Sequence, residues 1–427
     1  MPNLADTLLP RLTATRLPGL DLGQQAVHPA YDGLSILNLP PSFCRWFRSA
    51  ELPHPPLGVP GLDDLASGAR QIVVVLIDAV SFDRFARWIA DIPMVAAAFG
   101  QDYLLTPLTS VVPSTTVSAL TTLWTGSSPA EHGQVGYELL LKEYGLVANM
   151  LNHSPVALDR QAGLLLQAGF EPTSALPVPT LGPHLHRAGV EVHAFLPHSI
   201  RGSGLSRMHL NDVALHSYAT LADLWVALRD LAGRPLDHPR LLWAYYGEVD
   251  ALSHRYGPDS EQARAEFEAL MQGLVNGFIN RLSGQARSRS LLILLSDHGQ
   301  IATRKDSHFE VRNHPGLVRQ LHLLPTGENR LAYLYHLPGR YEEVAGYFEQ
   351  TWPGAFRLLA SAHALQAGLF GPGAPAEATS DRIGDVIAVS QGDAYLWWAA
   401  KENVLLGRHG GLSREEMLVP LLAARLG

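Results

Sequence analysis

The chain has little cysteine and no long apolar run, and both shortages limit what kind of protein it can be. Cys44 is the single cysteine among 427 residues, so an intrachain disulfide and a thiolate metal cluster are excluded. No uninterrupted apolar stretch of about 18 residues occurs, so no membrane-spanning helix is predicted. Prolines and acidic residues interrupt the N-terminus, MPNLADTLLPRLTATRLPGLD, where a signal peptide needs a continuous apolar run. We therefore expect a cytoplasmic protein without a membrane partner.

Lysine is also scarce, because Lys142, Lys305 and Lys401 are the only three in the chain. The formal net charge at pH 7 is −8. A general nucleic-acid binder needs a basic face, so that class of protein is not expected. A local pocket that uses arginine to bind phosphate on a small molecule remains compatible with this charge.

Apolar runs alternate with helical patterns along most of the chain. The segment QIVVVLIDAV contains six consecutive apolar residues, mostly β-branched, which is typical of a strand buried on both faces of a parallel sheet. The segments VEVHAFLP, RLLWAYYGEVD and SLLILLSDHGQ also read as strands that end in polar residues. Helical stretches such as EQARAEFEALMQGLVNGFINRL lie between them. This alternation predicts an α/β fold with a mostly parallel central sheet and helices on both faces.

The two ends of this pattern are less regular than its middle. We expect residues 1–427 to form a single domain. Residues 1–70, rich in proline and leucine, are predicted to be an N-terminal extension packed on the core. Residues 303–385 are predicted to be a small inserted cap.

Three aspartates and three histidines fall at predicted strand ends or in the loops that follow them. They are Asp78, Asp250, His254, Asp297, His298 and His409. Each alone is explained as well by a helix cap, a turn residue or a hydrogen-bonded histidine. Ligands in parallel sheets bind beyond the carboxyl ends of the strands, so the six together predict a metal site there. A mixed Asp/His set suits zinc, with manganese or iron as alternatives.

A hydroxyl group stands close to this predicted site. The segment VVPSTTVSALTTLWTGSSPAEHG reads as a strand end, a proline turn and a helix, with Thr116 at the helix N-terminus. The unpaired N–H groups and the helix dipole at that end favour an alkoxide and a bound phosphate. Helix capping by Ser114, Thr115 and Thr116 is the alternative interpretation of the same residues.

At this point the sequence resembles the alkaline phosphatase superfamily, and within it the nucleotide pyrophosphatase/phosphodiesterase-like branch. The resemblance covers residues from about 70 to 427 and rests on ordered motifs: LIDAV, PSTTVSALTTLWTG followed by HG, GEVDALSHRYGP, LSDHG and RHGGLSREE. It implies an alkaline-phosphatase-like fold, which is a three-layer α/β/α sandwich, and two divalent metal ions. It also implies that Asp78, Thr116, Asp297 and His298 hold one ion, and that Asp250, His254 and His409 hold the other.

The resemblance further implies a nucleophile ten residues before Gly126, which is Thr116, with Thr115 as the alternative. The implied reaction is hydrolysis of a phosphodiester or pyrophosphate bond through a covalent phospho-threonine. The substrate would be a small phosphorylated molecule such as a nucleotide. Two alternatives remain open: a phosphomonoesterase or phosphonate hydrolase using the same site, and a nucleotide- or partner-binding domain in signalling or defence that does not turn over substrate.

The chain departs from the branch at one position. An asparagine that binds a phosphate oxygen is expected three residues after the nucleophile, and this chain has Ala119. Another donor would then have to bind the phosphate. The candidates are the Thr116 backbone N–H, Ser118, Arg201, Arg207 and Arg330.

Overall fold

A computed structural model describes residues 3–99, 102–158 and 162–427. The strands within these ranges are β1 (Gln71–Ile77), β2 (Tyr103–Thr109), β3 (Glu138–Leu141), β4 (Leu146–Asn149), β5 (Ser154–Pro155), β6 (Glu191–Pro197), β7 (Ala214–Tyr218), β8 (Arg240–Tyr246), β9 (Ser290–Leu295), β10 (Ile301–Ala302), β11 (Thr326–Glu328), β12 (Leu331–Leu334), β13 (Phe356–Ala360), β14 (Val386–Ser390), β15 (Gly407–Arg408) and β16 (Leu418–Arg425).

The helices within the same ranges are α1 (Ala5–Ala14), α2 (Leu39–Phe47), α3 (Leu62–Ala66), α4 (Phe82–Ala90), α5 (Pro93–Phe99), α6 (Thr116–Thr125), α7 (Pro129–His132), α8 (Leu164–Gln167), α9 (Leu181–His186), α10 (Gly204–His209), α11 (Leu221–Gly233), α12 (Glu248–Tyr256), α13 (Glu261–Gly273), α14 (Gly284–Ser288), α15 (Pro315–Val318), α16 (Tyr341–Thr351), α17 (Ser361–Gln366), α18 (Thr379–Arg382) and α19 (Arg414–Met417).

The central sheet has seven strands in the order β2-β16-β9-β1-β8-β6-β7. All neighbouring pairs are parallel except those that involve β16, which runs antiparallel to both β2 and β9. Every residue of β1 and β9 is buried, because apolar side chains leave both faces of these strands and pack under helices. The prediction of a mostly parallel central sheet is confirmed.

Two groups of helices cover this sheet. Helices α4, α5, α11 and α13 contact one another, as do α2, α6, α9 and α10 in a second group. Together they form the helical layers of the three-layer sandwich. The helix predicted over EQARAEFEALMQGLVNGFINRL is shorter than expected. Helix α13 ends at Gly273, and the chain then forms a wider helical turn over Leu274–Phe278. The ring of Trp225 occupies the space beside Gly273 and Gly277, where larger side chains would not fit.

Within residues 3–70, α1 packs against β2, the edge strand of the central sheet. Leu4 donates its N–H to the carbonyl of Leu105 in β2, and α2 packs against α6. A second, antiparallel sheet has the order β13-β14-β12-β11-β3-β4-β5. Three strands within residues 303–385 (β11, β12 and β13) therefore share a sheet with strands of residues 138–155, a grouping that the sequence does not predict. The division into core, extension and cap stays a prediction.

The strand pairing also determines where polar side chains meet. Ile77 of β1 pairs with Tyr246 of β8, and Leu76 pairs with Leu295 of β9. The residues that follow these three strands consequently emerge side by side at one edge of the sheet.

Candidate active site

Three of the predicted ligands form a buried group at this edge, which we call the first cluster: Asp78, Asp297 and His298. One ligand atom from each lies within 4.8 Å of the others. His298 Nε2 is 3.3 Å from Asp78 Oδ1 and 3.6 Å from Asp297 Oδ2, and none of the three side chains is more than 2% exposed. Thr116 Oγ1 lies 3.1 Å from the same His298 nitrogen. The first ligand set and the hydroxyl proposed for it are therefore in contact.

The turn after β9 explains how neighbouring residues reach one site. Adjacent side chains on a strand point to opposite faces. Asp297 and His298 are not on a strand, because β9 ends at Leu295. The Ser296 hydroxyl then donates to the carbonyl of His298, and the His298 N–H donates to Asp297 Oδ1. These bonds close a tight turn that directs both ligands to the same place. After β1, the chain turns at Ala79, which has a left-handed φ of 62°.

The hydroxyls of the PSTT segment do not cap α6. Thr115 is the residue before the helix, and its side chain makes no capping bond to the backbone. The Ser114 hydroxyl instead donates to the carbonyl of Gly411, Thr115 bonds to Glu328, and Thr116 contacts His298. The capping interpretation is therefore wrong. Thr116 is the first residue of α6, so its hydroxyl lies beside the unpaired N–H groups of the helix start.

The other three predicted ligands form a second cluster: Asp250, His254 and His409. Their ligand atoms also lie within 4.8 Å of one another, and all three residues are partly exposed. Asp250 does not end a strand as expected. The strand β8 ends at Tyr246, and Asp250 and His254 lie one turn apart on α12, with Asp250 Oδ1 3.4 Å from His254 Nε2.

The two clusters adjoin through their histidines. The rings of His298 and His409 stack with centroids 4.1 Å apart, and the His254 and His409 centroids are 5.1 Å apart. His254 Nδ1 lies 2.8 Å from the carbonyl of Gly407, and His298 Nδ1 lies 3.0 Å from that of Gly299. A carbonyl only accepts, so Nδ1 carries the proton in both rings. That tautomer leaves each Nε2 lone pair directed at the cluster, as a metal ligand requires.

The charges of the first cluster fit a bound divalent cation. Burial raises the pKa of Asp78 well above its ordinary value, and the charges of Asp297 and Asp250 raise it further. Burial also raises the pKa of Asp297. Within the described part of the chain, Asp78 Oδ1 and Asp297 Oδ2 are buried without a hydrogen-bond partner. A cation would supply both the missing partner and the compensating charge.

Two further side chains contact the ligands, and the sequence did not reveal them. The Tyr245 hydroxyl donates to Asp78 Oδ2, and the Gln300 amide donates to Asp250 Oδ1. Such outer contacts orient ligands and adjust their basicity. Tyr245 sits near the end of β8 and Gln300 two residues after His298, but only the strand pairing identifies their partners.

A buried ion pair supports the loop that carries His409. Glu416 and Arg330 are both fully buried, with Nη2 of Arg330 2.9 Å from Oε2 of Glu416. The backbone N–H groups of Gly411 and Ser413 also donate to the Glu416 carboxylate. Burial raises the pKa of Glu416, but the charge of Arg330 and these bonds outweigh it and hold that pKa below its ordinary value. Arg330 therefore pairs inside the protein and does not reach the site, contrary to expectation.

Two cavities open onto Thr116. The one we call the second-cluster cavity has a volume of about 360 Å³ and is bordered by the second cluster, Glu328 and Lys401, and also by Trp397, Trp398 and Leu405. The one we call the apolar cavity has a volume of about 170 Å³ and is bordered by Asp78, Leu120 and Trp124. Thr116 and Asp250 border both cavities, so the proposed nucleophile stands where they meet.

The predicted substrate contacts lie elsewhere. Ser118 is fully buried, because two residues along a helix turn its side chain to the opposite side from Thr116. Arg201 and Arg207 are exposed, and among the described residues neither they nor Ser118 lines either cavity. Ala119 is also fully buried and lines neither. A side chain at position 119 faces the core, so the departure there does not bear on phosphate binding.

The chain shares its sandwich fold with solved structures of a nucleotide pyrophosphatase/phosphodiesterase and of a phosphonoacetate hydrolase. The chain also matches the family model of type I phosphodiesterase / nucleotide pyrophosphatase over residues 72–412. It belongs to that family, and it is a hydrolase of phosphoric ester or pyrophosphate bonds.

Solved structures share the fold at low sequence identity. Mouse ectonucleotide pyrophosphatase / phosphodiesterase 5 has a TM-score of 0.59 and 17% identity, covering 82% of this chain and 87% of that one. An inactive threonine-to-alanine variant of the same mouse protein in complex with AMP has a TM-score of 0.58 and 16% identity, with coverage of 82% and 87%. Phosphonoacetate hydrolase from Sinorhizobium meliloti in complex with phosphonoformate has a TM-score of 0.57 and 18% identity, with coverage of 84% and 91%.

No curated protein sequence matches the chain. Among the described residues, no helix is both long and apolar enough to cross a membrane.

Proposed function

We propose that this chain hydrolyses phosphodiester or pyrophosphate bonds of a small substrate through a covalent phospho-threonine at Thr116, with two divalent metal ions. The observation that carries the proposal is the 3.1 Å contact between Thr116 Oγ1 and His298 Nε2 at the start of α6. It puts a hydroxyl beside two buried carboxylates, whose Asp78 Oδ1 and Asp297 Oδ2 atoms accept no hydrogen bond from the described residues. The mixed Asp/His donors favour zinc, with manganese or iron as alternatives.

The side chains divide the reaction between them. Metal ions bound at the two clusters would lower the pKa of the Thr116 hydroxyl and stabilise charge on the leaving oxygen. Thr116 Oγ1 attacks phosphorus, the bond to the leaving oxygen breaks, and the phosphoryl group is transferred to the threonine. The N–H groups at the start of α6 stabilise the phosphoryl oxygens. Water then hydrolyses the phospho-threonine and restores the hydroxyl.

The histidines and aspartates act in this scheme as ligands and not as general bases. His254 and His298 each keep a proton on Nδ1 for a backbone carbonyl and offer Nε2 to the clusters. The inactive threonine-to-alanine variant of the mouse relative supports a role for a threonine in that protein, and we extend that role to Thr116 here. AMP in the same complex supports a nucleotide as one substrate class to test first.

The test compares two aromatic phosphates with protein loaded with zinc or manganese. We expect bis-p-nitrophenyl phosphate to be hydrolysed faster than p-nitrophenyl phosphate. Preference for the monoester would overturn the diesterase assignment, and preference for phosphonoacetate over both would favour a phosphonate hydrolase. Turnover of none of them by metal-loaded protein would contradict the proposed function.

Two threonine variants test the nucleophile. Thr116→Ala should lower turnover at least about a thousandfold while metal content and fold are kept. Thr115→Ala is the matched control and should retain most activity, because Thr115 contacts Glu328 and not the first cluster. A phosphoryl group found on a Thr116 peptide by mass spectrometry after acid quenching would identify the intermediate. Loss of activity in the Thr115 variant alone would instead assign the nucleophile to Thr115.

A further inference from the structure

Gln300 lies between the two ligand clusters. It comes two residues after His298 in the chain, and it is fully buried. Its side-chain amide donates to the carboxylate of Asp250 and, at 3.3 Å, to the backbone carbonyl of the same residue. A residue from the segment of the first cluster therefore holds a ligand of the second cluster by both its side chain and its backbone.

The other end of the Gln300 amide faces the residue that orients His254. Its Oε1 atom is buried without a hydrogen-bond partner among the described residues. A Cβ atom added to Gly407 would lie 2.3 Å from that Oε1 atom, so the two residues are in close contact. The carbonyl of Gly407 in turn accepts the Nδ1 proton of His254. Gln300 thus contacts Asp250 directly and His254 through one intervening residue.

The backbone of Gln300 is also fixed, and Arg84 fixes it. Arg84 Nη1 donates to the Gln300 carbonyl at 2.6 Å, and the same guanidinium binds the two carboxylate oxygens of Asp259 at 3.0 and 2.9 Å. Arg84 lies on α4, and Asp259 follows the C-terminal end of α12. Gln300 therefore holds the first turn of α12, and Arg84 holds the segment after its last turn. We call these two side chains the α12 bracket.

The segment between His298 and Gln300 leaves no space for independent movement. The Gly299 N–H donates to the carbonyl of Glu416 at 2.8 Å. A Cβ atom added to Gly299 would lie 2.0 Å from the carbonyl oxygen of Glu415, so the backbone segments are in direct contact. Close-packed interiors of this kind transmit a displacement. The position of His298 in the first cluster is consequently linked to the position of Gln300.

Helix α12 needs this support because the central sheet does not fix its ligands. Asp78 and Asp297 follow strands that pair directly with each other, β1 and β9. Asp250 and His254 lie on a helix that is connected to β8 through Gly247. The separation of the two clusters therefore depends on side chains that join α12 to the segments of the first cluster.

We propose that the α12 bracket fixes the separation of the two clusters, and with it the distance between the metal ions bound there, so that Gln300 and Arg84 are positioning residues for the reaction. The inference rests on the two-metal site of the proposed function. One ion activates Thr116 and the other stabilises the leaving oxygen, so both act on one phosphoryl group only at a suitable distance from each other. A displacement of about 1 Å that originates far from the reacting atoms can lower a rate about 100-fold.

X-ray absorption at the zinc edge tests the proposal in full-length protein loaded with two zinc ions per chain. Wild type should give one zinc–zinc distance of about 3.5–4 Å. Gln300→Met replaces the amide with an apolar side chain of similar length, so the zinc–zinc distance should lengthen or its signal should be lost as the distances spread. An unchanged distance in Gln300→Met, at two zinc ions per chain, would overturn the proposal.

Two further variants control this measurement. Arg84→Lys keeps the charge but cannot bind Asp259 with two parallel N–H groups and Gln300 at the same time, so it should also change the distance. It is the deciding variant if Gln300→Met retains only one zinc ion. Arg87→Met is the matched control, because Arg87 binds the same Asp259 at 2.8 Å from an exposed position and forms no hydrogen bond with Gln300. The zinc–zinc distance in Arg87→Met should equal that of wild type.

The kinetic readout is the dependence of turnover on the leaving group. For a series of aryl methyl phosphates, kcat/KM of Gln300→Met should fall more steeply than that of wild type as the pKa of the phenol rises, because a displaced second ion stabilises the leaving oxygen less. The value for the p-nitrophenyl ester should fall about 100-fold. A loss that is equal for all leaving groups would contradict the positioning role. The absorption measurement requires no turnover, so a changed zinc–zinc distance supports the bracket even if no ester is hydrolysed, and an unchanged one overturns it even if diesters are turned over.

Discussion

The two ligand clusters are built from different parts of the fold. Asp78 directly follows β1 and Asp297 lies two residues after the end of β9, two parallel strands in the middle of the central sheet, where both side chains are buried. Asp250 and His254 lie on α12, with side chains 19% and 24% exposed, and His409 is in a loop. Pairing on both sides of β1 fixes the first cluster. The second depends on a helix and on a loop supported by Glu416.

This difference predicts unequal sites. A buried cluster with two carboxylates gains more from a cation than a partly exposed cluster with one, because water does not screen its charges. A partly exposed cluster also allows water to replace a lost ligand. We therefore expect the first cluster to bind its ion more tightly and to tolerate substitution less.

The largest expected effect comes from removing one ligand of each cluster. Asp297→Ala should abolish binding of one ion and lower turnover at least about a thousandfold, because Thr116 loses its charged surroundings. His254→Ala should weaken the other ion and cost less activity. Metal content by elemental analysis and kcat for bis-p-nitrophenyl phosphate check both variants. Equal losses in the two would remove the distinction between the clusters.

The next effect concerns the loop that carries His409. Glu416→Gln leaves the buried Arg330 charge unpaired and should reduce the free energy of unfolding by about 3–5 kcal/mol. Asp63→Asn is the control, because Arg45 and Asp63 form an ion pair with side chains about half exposed, and its loss should cost no more than about 1 kcal/mol. Urea unfolding measures both. At a temperature where the protein is folded, Glu416→Gln should also weaken metal binding at the second cluster more than at the first.

A smaller effect is expected from the hydroxyl behind the first cluster. Tyr245→Phe removes the donor to Asp78 and should weaken metal binding there by about 10–100-fold. Tyr246→Phe is the matched control, since its hydroxyl donates to Glu266 on α13, away from both clusters. Isothermal titration with zinc measures both variants. Similar losses in the two would show that Tyr245 acts through general packing.

The difference between the two clusters also explains which ligand positions could be predicted from the sequence. Asp78, Asp297 and His298 follow uninterrupted apolar runs, so a strand and its polar end were readable from local pattern alone. Asp250 is predicted at a strand end because GEVD reads as the polar end of the apolar run RLLWAYY, whereas the chain enters α12 at Glu248. No local signal separates these two possibilities.

Contacts between segments that are distant along the chain could not be predicted from the sequence. Tyr245 reaches Asp78 because β8 pairs with β1, and Arg330 reaches Glu416 across 86 residues. Ser118 and Arg207 are candidates by residue type alone; helix rotation turns Ser118 away from Thr116, and Arg207 is exposed and lines neither cavity. The ligands of the first cluster are predictable because they follow strands, but the residues that orient them are not, because tertiary pairing selects those.

The last prediction distinguishes the carboxyl groups of the two regions by pH. Glu328, beside the second cluster, is buried and accepts bonds from Thr115 and from the backbone N–H of Tyr137. Burial raises its pKa to about 8, from 4.5 ordinarily. Between these values the unfolded chain has released the proton and the folded protein still holds it. The stability that Glu328 contributes is therefore lost as the pH rises, with a slope of at most about 1.4 kcal/mol per pH unit.

Glu328→Gln removes this titration. The stability of the variant relative to wild type should therefore improve from pH 5 to pH 8 in urea unfolding. A relative stability that stays constant or declines over this range would show that Glu328 is ionised in the folded protein, as the carboxylates of the first cluster must be when they bind a cation.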